Sequence, residues 1–383
     1  MHIIHVLTRL LRAGSEENTL ETCLWQAAHG HEVTVIHGPD PDPLWQQKYG
    51  DRLRFVTVPQ MVHPIRLSQD WSAIRALRRV LRDLAPDVIH THQSKAGILG
   101  RLASTAVPGA LVVHGIHIIP FDGVSRMKAA VYIAAEKLAA RHTDLFIAVS
   151  RSVGQAYIDA GICTEVEPVY SGMPLEQFQN ASPPADWADV LGCDPKVAPP
   201  VILMLAAYEP RKRHIPFLDA MAQVLPTLPK ATRIVFAGKG PHETAVRQHV
   251  ADLGLEDRVI MTGFRNDPEA LIALADVCVL VSEREGLPRV VVQYVASGKP
   301  VVVADLPGIT EIISHGHNGL ITDPGDLSDT ALALRDLLTD RNRLETLAQG
   351  AAETDVSNWE LDRLGARTTA LYETSLATKN GAL

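Results

Sequence analysis

The chain has 383 residues, more than a single hydrophobic core grows to fill, so two domains are expected. A hydrophobic share of 46% and a charged share of 21% exclude a disordered or fibrous protein, and the net charge of −8 argues against a nucleic-acid partner. No apolar run approaches the roughly 18–20 residues of a membrane-spanning helix, and Cys23, Cys163, Cys193 and Cys278 are scattered, as reduced thiols of a cytoplasmic protein would be.

The charge is uneven. Residues 1–170 hold 17 Lys/Arg and 16 Asp/Glu, against 19 and 28 in the remainder, which makes the first part +1 and the second −9. That distribution is compatible with an N-terminal half that meets an anionic membrane surface.

In chain order, His2–Leu7 reads as a short buried strand rather than a signal peptide. Further short apolar runs follow at Val33–Ile36, Asp87–His90, Ala110–His114 and Leu145–Val149. A second series comprises Val201–Leu205, Arg233–Ala237, Val259–Met261, Val277–Val281 and Pro300–Val303. Continuous apolar strands alternating with helical segments imply parallel sheets covered on both faces, and two series imply two doubly wound α/β domains. We place an N-terminal domain at 1–173, a Pro-rich linker at 174–198 and a C-terminal domain at 199–356. A last helix, within 357–383 and running from about Asn358 to Thr378, carries Trp359, Leu364, Leu371 and Tyr372 on one apolar stripe.

Ligands of such sheets bind beyond the carboxyl ends of the strands, so the residues after each strand are the candidates. After the first strand, Ala13-Gly14 forms a small-residue turn into a helix at Glu17–Ala28, where free N–H groups can meet an anion. Another strand leads into His114-Gly115-Ile116-His117, whose imidazoles suit either a sugar hydroxyl or a structural role. Arg211-Lys212-Arg213 after Leu205 puts three cations where a diphosphate could be neutralised. The most informative segment runs from Ser282 to Val302. Gly286 permits a turn, Pro288 fits a first helical turn, and the N–H groups of Gly286, Leu287 and Arg289 would carry the positive end of the helix dipole. Glu285 lies at the mouth of that site, with Gln293 two turns along.

Taken with Pro86–His92, Lys95-Ala96-Gly97, Val259–Phe264, Ala275-Asp276, Glu311-Ile312-Ile313 and Gly316–Pro324, this segment strongly resembles the retaining glycosyltransferases of family 4. The resemblance covers nearly the whole chain. It implies the GT-B fold, with two Rossmann-like domains facing across a crevice, the first binding the acceptor, the second the sugar nucleotide, and the final helix returning to the first. It further implies Glu285 and His117 as catalytic residues at the donor sugar. Ala13, Gly14, Arg211, Lys212, Arg265, Gly286, Leu287, Arg289 and Gln293 would be the donor contacts.

At two positions the chain departs from the family pattern. Gln293 stands where a glutamate usually grips the ribose, and Ala207 where an arginine usually flanks the diphosphate. An amide oxygen still accepts one hydroxyl, and Arg211 or Arg213 can supply the missing cation.

The expected function is transfer of a hexosyl or N-acetylhexosaminyl group, with retention, from a nucleoside-diphosphate sugar to a hydroxyl of a lipid-linked or cell-envelope glycan. UDP is the favoured nucleotide, and no metal or other cofactor is expected. The expected location is the cytoplasm, at the inner face of the cytoplasmic membrane. Two other readings remain open at this stage: a non-catalytic GT-B partner protein, suggested by Gln293 and Ala207, and a sugar-nucleotide epimerase.

Some motifs carry less. Asp40-Pro41-Asp42 is a lone D-x-D in a Pro-rich loop, and Gly238-Lys239-Gly240 lacks the third glycine of a dinucleotide fingerprint. His90-x-His92 has no Cys or carboxylate at ligand spacing, which argues against a metal site. The helix expected over Trp71–Leu84 displays Arg75, Arg78, Arg79 and Arg82, suited to an anionic bilayer or simply to solvent.

Overall fold

Apolar β-branched runs too short for helices build both halves of the chain. The computed structural model describes residues 1–11 and 14–381, so Ala13 lies outside the described residues. The chain forms two compact units, one of Met1–Met173 with Ser357–Leu383 and one of Pro174–Val356.

The first unit is built on strands β1 (His2–Leu7), β2 (Glu32–His37), β3 (Arg54–Thr57), β4 (Val88–His92), β5 (Leu111–Ile116), β6 (Leu145–Ala148) and β7 (Glu167–Pro168). They pair in parallel in the order β3-β2-β1-β4-β5-β6-β7. Because side chains alternate across a strand, β1 serves two cores. Ile4 and Val6 pack with Ile89 beneath the helices Leu67–Leu84 and Ser94–Ser104, through Leu77, Leu81 and Leu99. Ile3 packs on the other face with Val88, Leu111 and Val113.

That second face is completed by the helix Leu361–Gly381, whose Leu364 and Tyr372 are buried there. The helix also lies against Gly14–Ala28. Gly365 makes the contact feasible: a Cβ at this position would stand 2.2 Å from Cγ of Trp25. Trp359, expected on the helical stripe, instead precedes the helix in a 3₁₀ turn and faces Tyr170, with ring centroids 5.1 Å apart. The helices Ser94–Ser104 and Arg126–Ala140 are joined by a fully buried pair, Arg101 and Glu136, at 2.5 Å.

The second unit contains β8 (Val201–Leu205), β9 (Arg233–Ala237), β10 (Val259–Gly263), β11 (Val277–Leu280), β12 (Val301–Ala304) and β13 (Gly319–Thr322). Their parallel order is β10-β9-β8-β11-β12-β13. Ile202, Met204, Phe236, Val279 and Val302 form one continuous core with Phe217, Met221 and Leu334 of the covering helices.

The structure adds three strands to the expected set, β3, β7 and β13, all at or next to sheet edges. The residues 174–198, expected as a linker, include the short helices Glu176–Gln179 and Trp187–Leu191, with Phe178 and Leu191 buried, and group with the second unit. The first long helix begins at Gly14 rather than Glu17.

Overpacking at the seam of the first unit has a measurable cost. Gly365→Ala should lower unfolding stability by about 1–3 kcal/mol, because Trp25 has to move. Urea unfolding monitored by tryptophan fluorescence checks this through a lower midpoint at unchanged slope.

Candidate functional site

In each sheet the chain starts in the middle, proceeds to one edge and then resumes on the other side of the first strand. The loops leaving the two central strands therefore part company and leave a crevice at the carboxyl end. In the second unit those strands are β8 and β11. Their loops carry the expected basic run and Glu285.

The loop after β8 forms a 3₁₀ turn, Pro210–Lys212, followed by Arg213 in the left-handed region at φ 58°. A non-glycine residue pays about 1–2 kcal/mol there, and the bend sets Lys212 toward the loop after β11. The backbone N–H of Glu283 donates to the Arg211 carbonyl at 2.8 Å, which ties the two loops together. Lys212 Nζ is ion-paired with Glu285 Oε1, and Arg211 Nη1 lies 3.3 Å from the same oxygen. Arg211 also pairs with Glu209 at 2.7 Å. Lys212 and Glu285 keep only 13% and 14% of their side-chain surface exposed, so their attraction is less screened than that of a surface pair.

Behind them the helix Arg289–Ala296 is anchored by buried Tyr294, whose hydroxyl accepts from the N–H of Leu205 at 2.8 Å. Pro288 is the N-cap of this helix, not a residue of its first turn as the sequence suggested. Gly286 and Leu287 are buried, while Arg289 and Gln293 are half-buried on the helix. Arg265 is held within its own loop by a two-pronged pair to Asp267 at 2.8 and 2.6 Å, which raises the arginine pKa and lowers that of the aspartate. Gly238 and Gly240 have a packing role: added Cβ atoms would stand 2.0 Å from the Ala206 carbonyl and 2.5 Å from that of Tyr208.

In the first unit the central strands are β1 and β4. Gln93, which sequence reasoning missed, follows β4 with φ 60° and ψ 163°, a conformation almost reserved for glycine. Its side-chain oxygen accepts from the N–H groups of Thr8 and Arg9 at 2.9 and 3.3 Å, and its amide nitrogen donates to Glu16 at 3.1 Å. This strained residue thus ties Thr8 and Arg9 to Glu16, which lies on the helix whose exposed first residue is Gly14.

His117, itself half-buried, follows β5 and ends a chain of imidazoles whose other members, His5 and His92, are buried. Parallel register places His5 opposite His90, and His92 opposite Gly115. His5 Nδ1 lies 2.9 Å from His92 Nε2, and His92 Nδ1 lies 3.0 Å from His117 Nε2. His5 Nε2 meets Gln26 Oε1 at 2.9 Å, while His90 Nδ1 meets the Tyr372 hydroxyl at 2.5 Å. Three of these rings, His5, His90 and His92, offer nitrogens within 4.8 Å of one another. Both nitrogens of His5 and of His92 already have partners, so the arrangement is a hydrogen-bond chain. His114 is structural, bonded to Thr91 at 3.0 Å and packed on Gly97.

Burial drives the pKa of His5 and of His117 down to about 4, and holds His90, His92 and His114 well below the ordinary histidine value. The rings are therefore neutral in the folded protein at pH 7 and take up protons on unfolding once the pH drops below about 6.5. Their stabilising contribution is complete above that pH and is lost on the way down to pH 4. For His5 alone the loss approaches about 3 kcal/mol. Thermal unfolding between pH 7.5 and 4.5 should show the midpoint dropping mainly below pH 6.5, and a flat profile would contradict the neutral cluster.

Two doubly wound sheets, with a cation–carboxylate cluster at the switch point of the second, suit a two-domain α/β protein that binds a ligand beyond the carboxyl ends of its strands. Comparison with known proteins agrees. A family model described as Glycosyltransferase Family 4 matches residues 12–177, and one described as Glycosyl transferases group 1 matches residues 194–354. The chain belongs to the family 4 glycosyltransferases and has their GT-B type of fold. It is 26% identical over 345 residues to the Escherichia coli UDP-Gal:alpha-D-GlcNAc-diphosphoundecaprenol alpha-1,3-galactosyltransferase, covering 87% of this chain and 86% of that one. A GDP-mannose-dependent phosphatidylinositol monomannoside mannosyltransferase of Mycobacterium tuberculosis is 28% identical over 180 residues, 44% of this chain and 46% of its own. Among solved structures, Anabaena HepE in complex with UDP-glucose superimposes with a TM-score of 0.80 at 23% identity, over 98% of this chain and all of that one.

Proposed function

We propose that this glycosyltransferase moves a hexosyl or N-acetylhexosaminyl group from a UDP-sugar, with retention and without a metal, to a hydroxyl of a lipid-linked or cell-envelope glycan. The observation that carries this reading is the cluster of Arg211, Lys212 and Glu285 at the switch point of the second sheet. A sugar nucleotide brings its own good leaving group, so no strong general acid is needed. What the reaction needs is charge stabilisation on the departing diphosphate, which Lys212 and Arg211 provide. Gly14, with Ala13 before it, and the start of the Arg289–Ala296 helix add backbone donors. Glu285 orients the sugar and offsets the positive charge that develops at its anomeric carbon. His117 meets a sugar hydroxyl, and Gln293 accepts one hydroxyl of the ribose. Arg265 reaches the donor once Asp267 releases it. The leaving oxygen takes the acceptor's proton on the face it has just left, which retains the anomeric configuration.

The E. coli relative's name supports a uridine nucleotide and a diphosphoundecaprenol acceptor, whereas the mycobacterial relative's name specifies GDP-mannose. A thermal-shift screen across UDP-, GDP- and ADP-sugars separates these. UDP-sugars should raise the melting temperature, by an amount set by ligand excess over Kd, and Lys212→Ala should abolish the shift. A shift with GDP- or ADP-sugars alone would overturn the uridine assignment.

A peripheral contact with anionic membrane, at the inner face of the cytoplasmic membrane, fits the same acceptor class. No helix among the described residues is long and apolar enough to cross a bilayer. On the first unit, Ile65, Leu67 and Trp71 are 69%, 79% and 61% exposed beside Arg66, Arg75 and Arg79. Met127 and Val131, on the helix Arg126–Ala140, are similarly bare beside Arg126 and Lys128. Arg78 is engaged instead, donating to the Leu102 carbonyl at 3.3 Å and to Thr105 at 3.2 Å. Each cation near an anionic bilayer contributes about 1 kcal/mol, so Arg75→Gln with Arg79→Gln should weaken binding by roughly thirty-fold. Co-sedimentation with phosphatidylglycerol-containing vesicles, against pure phosphatidylcholine, checks this. Equal binding by the double variant would remove these arginines from the contact.

A further inference from the structure

We propose that the chain Gln26–His5–His92–His117 locks His117 as the Nε2–H tautomer, so that its Nδ1 lone pair can only accept a hydrogen bond from a sugar hydroxyl. His92, His5 and Gln26 are thereby positioning residues. The functional half of this statement rests on the reading of His117 as a sugar contact; the tautomer lock rests on geometry alone.

The direction of the chain is set at its far end. A carboxamide oxygen only accepts, so Gln26 Oε1, 2.9 Å from His5 Nε2, requires a proton on that nitrogen. A neutral imidazole has one N–H, which leaves His5 Nδ1 as an acceptor. His92 Nε2, 2.9 Å away, must then be the donor. The same rule makes His92 Nδ1 an acceptor and assigns the proton of the 3.0 Å contact to His117 Nε2. Each ring transmits the choice to the next, and neutrality of all three is what makes the transmission unambiguous.

The amide that starts the chain is itself clamped. Gln26 is fully buried; its nitrogen donates to Thr369 Oγ1 at 3.4 Å, and the Tyr372 hydroxyl interacts with the same side chain. Both belong to the helix Leu361–Gly381, whose sequence lies more than 200 residues beyond the rings it governs. The Tyr372 hydroxyl is hydrogen-bonded to His90 Nδ1 at 2.5 Å, which keeps that ring apart from the chain. Gly115 leaves the space required: a Cβ there would stand 3.0 Å from His92 Nδ1, the atom that receives the His117 proton. Were the Gln26 amide reversed, every proton in the chain would reverse with it. His117 would then present an N–H, which cannot accept from a hydroxyl.

Long-range ¹H–¹⁵N correlation of imidazoles in the full-length, ¹⁵N-histidine-labelled protein at pH 7.5 reads this directly, with His117 assigned by the signal lost in His117→Gln. His117 should be protonated at Nε2 only. In Gln26→Met, which removes the accepting oxygen while keeping side-chain volume, the His117 nitrogens should move toward the average of the two tautomers. A purely structural role for Gln26 would leave them where they are. Protonation at Nδ1 or at both nitrogens in the wild type, or an unchanged His117 signal in a folded Gln26→Met protein, would overturn the proposal. The wild-type spectrum decides even if the variant fails to fold. Failure of the donor reading registers elsewhere, as the absence of any sugar-nucleotide thermal shift.

Discussion

Every strand of both sheets runs in the same direction, and this constraint shapes the rest of the molecule. Parallel neighbours cannot be joined by a tight turn, so each connection is a crossover that returns to the amino end. All loops that leave the strands at their carboxyl ends are therefore free of the return path, and the two that diverge from the central pair open a crevice. In the second unit that crevice receives Lys212 from one loop and Glu285 from the other, joined by the Glu283 N–H on the Arg211 carbonyl. In the first unit it receives Gln93, whose unfavourable backbone is held by bonds to Thr8, Arg9 and Glu16. Backbone strain at one such place and ion pairs at the other are features that cluster at functional sites.

The first unit is not finished by its own contiguous sequence. Its second hydrophobic face needs Leu364 and Tyr372 from the end of the chain, and Gly365 lets that helix close on Trp25. The same helix supplies the hydroxyls that orient Gln26 and His90. Packing and protonation are thus coupled: a contact that buries apolar surface also decides which nitrogen of a distant imidazole carries a proton.

Central strands were legible because burial on both faces leaves an unbroken apolar run. Val201–Leu205 and Arg233–Ala237 fall exactly where their residues suggest. Strand β3 escaped because an edge strand with exposed Arg54 and Thr57 carries no such run, and β7 because two residues ending in Pro168 offer no pattern at all. Lys212 and Glu285 were visible as loop residues after strands, and the switch-point topology explains why they meet although 73 positions separate them. The imidazole chain was not visible. Local spacing around His90-x-His92 offers no partner, because its partners arrive through parallel register from β1 and from a residue just after β5. Gln93 left no trace in the sequence, since nothing in a glutamine announces a left-handed backbone.

The claim on which the functional account turns is that Glu285, held by Lys212 and Arg211, supports the sugar in the transition state. Its most direct test is the steady-state rate of sugar transfer by Glu285→Gln, with the stereochemistry of the product read by NMR. The variant keeps side-chain size and removes the charge. The account predicts a kcat lower by about a hundredfold or more, at a donor KM little changed, with the wild-type enzyme giving a product of retained configuration. Undiminished kcat in a folded Glu285→Gln enzyme, or an inverted product from the wild type, would contradict it.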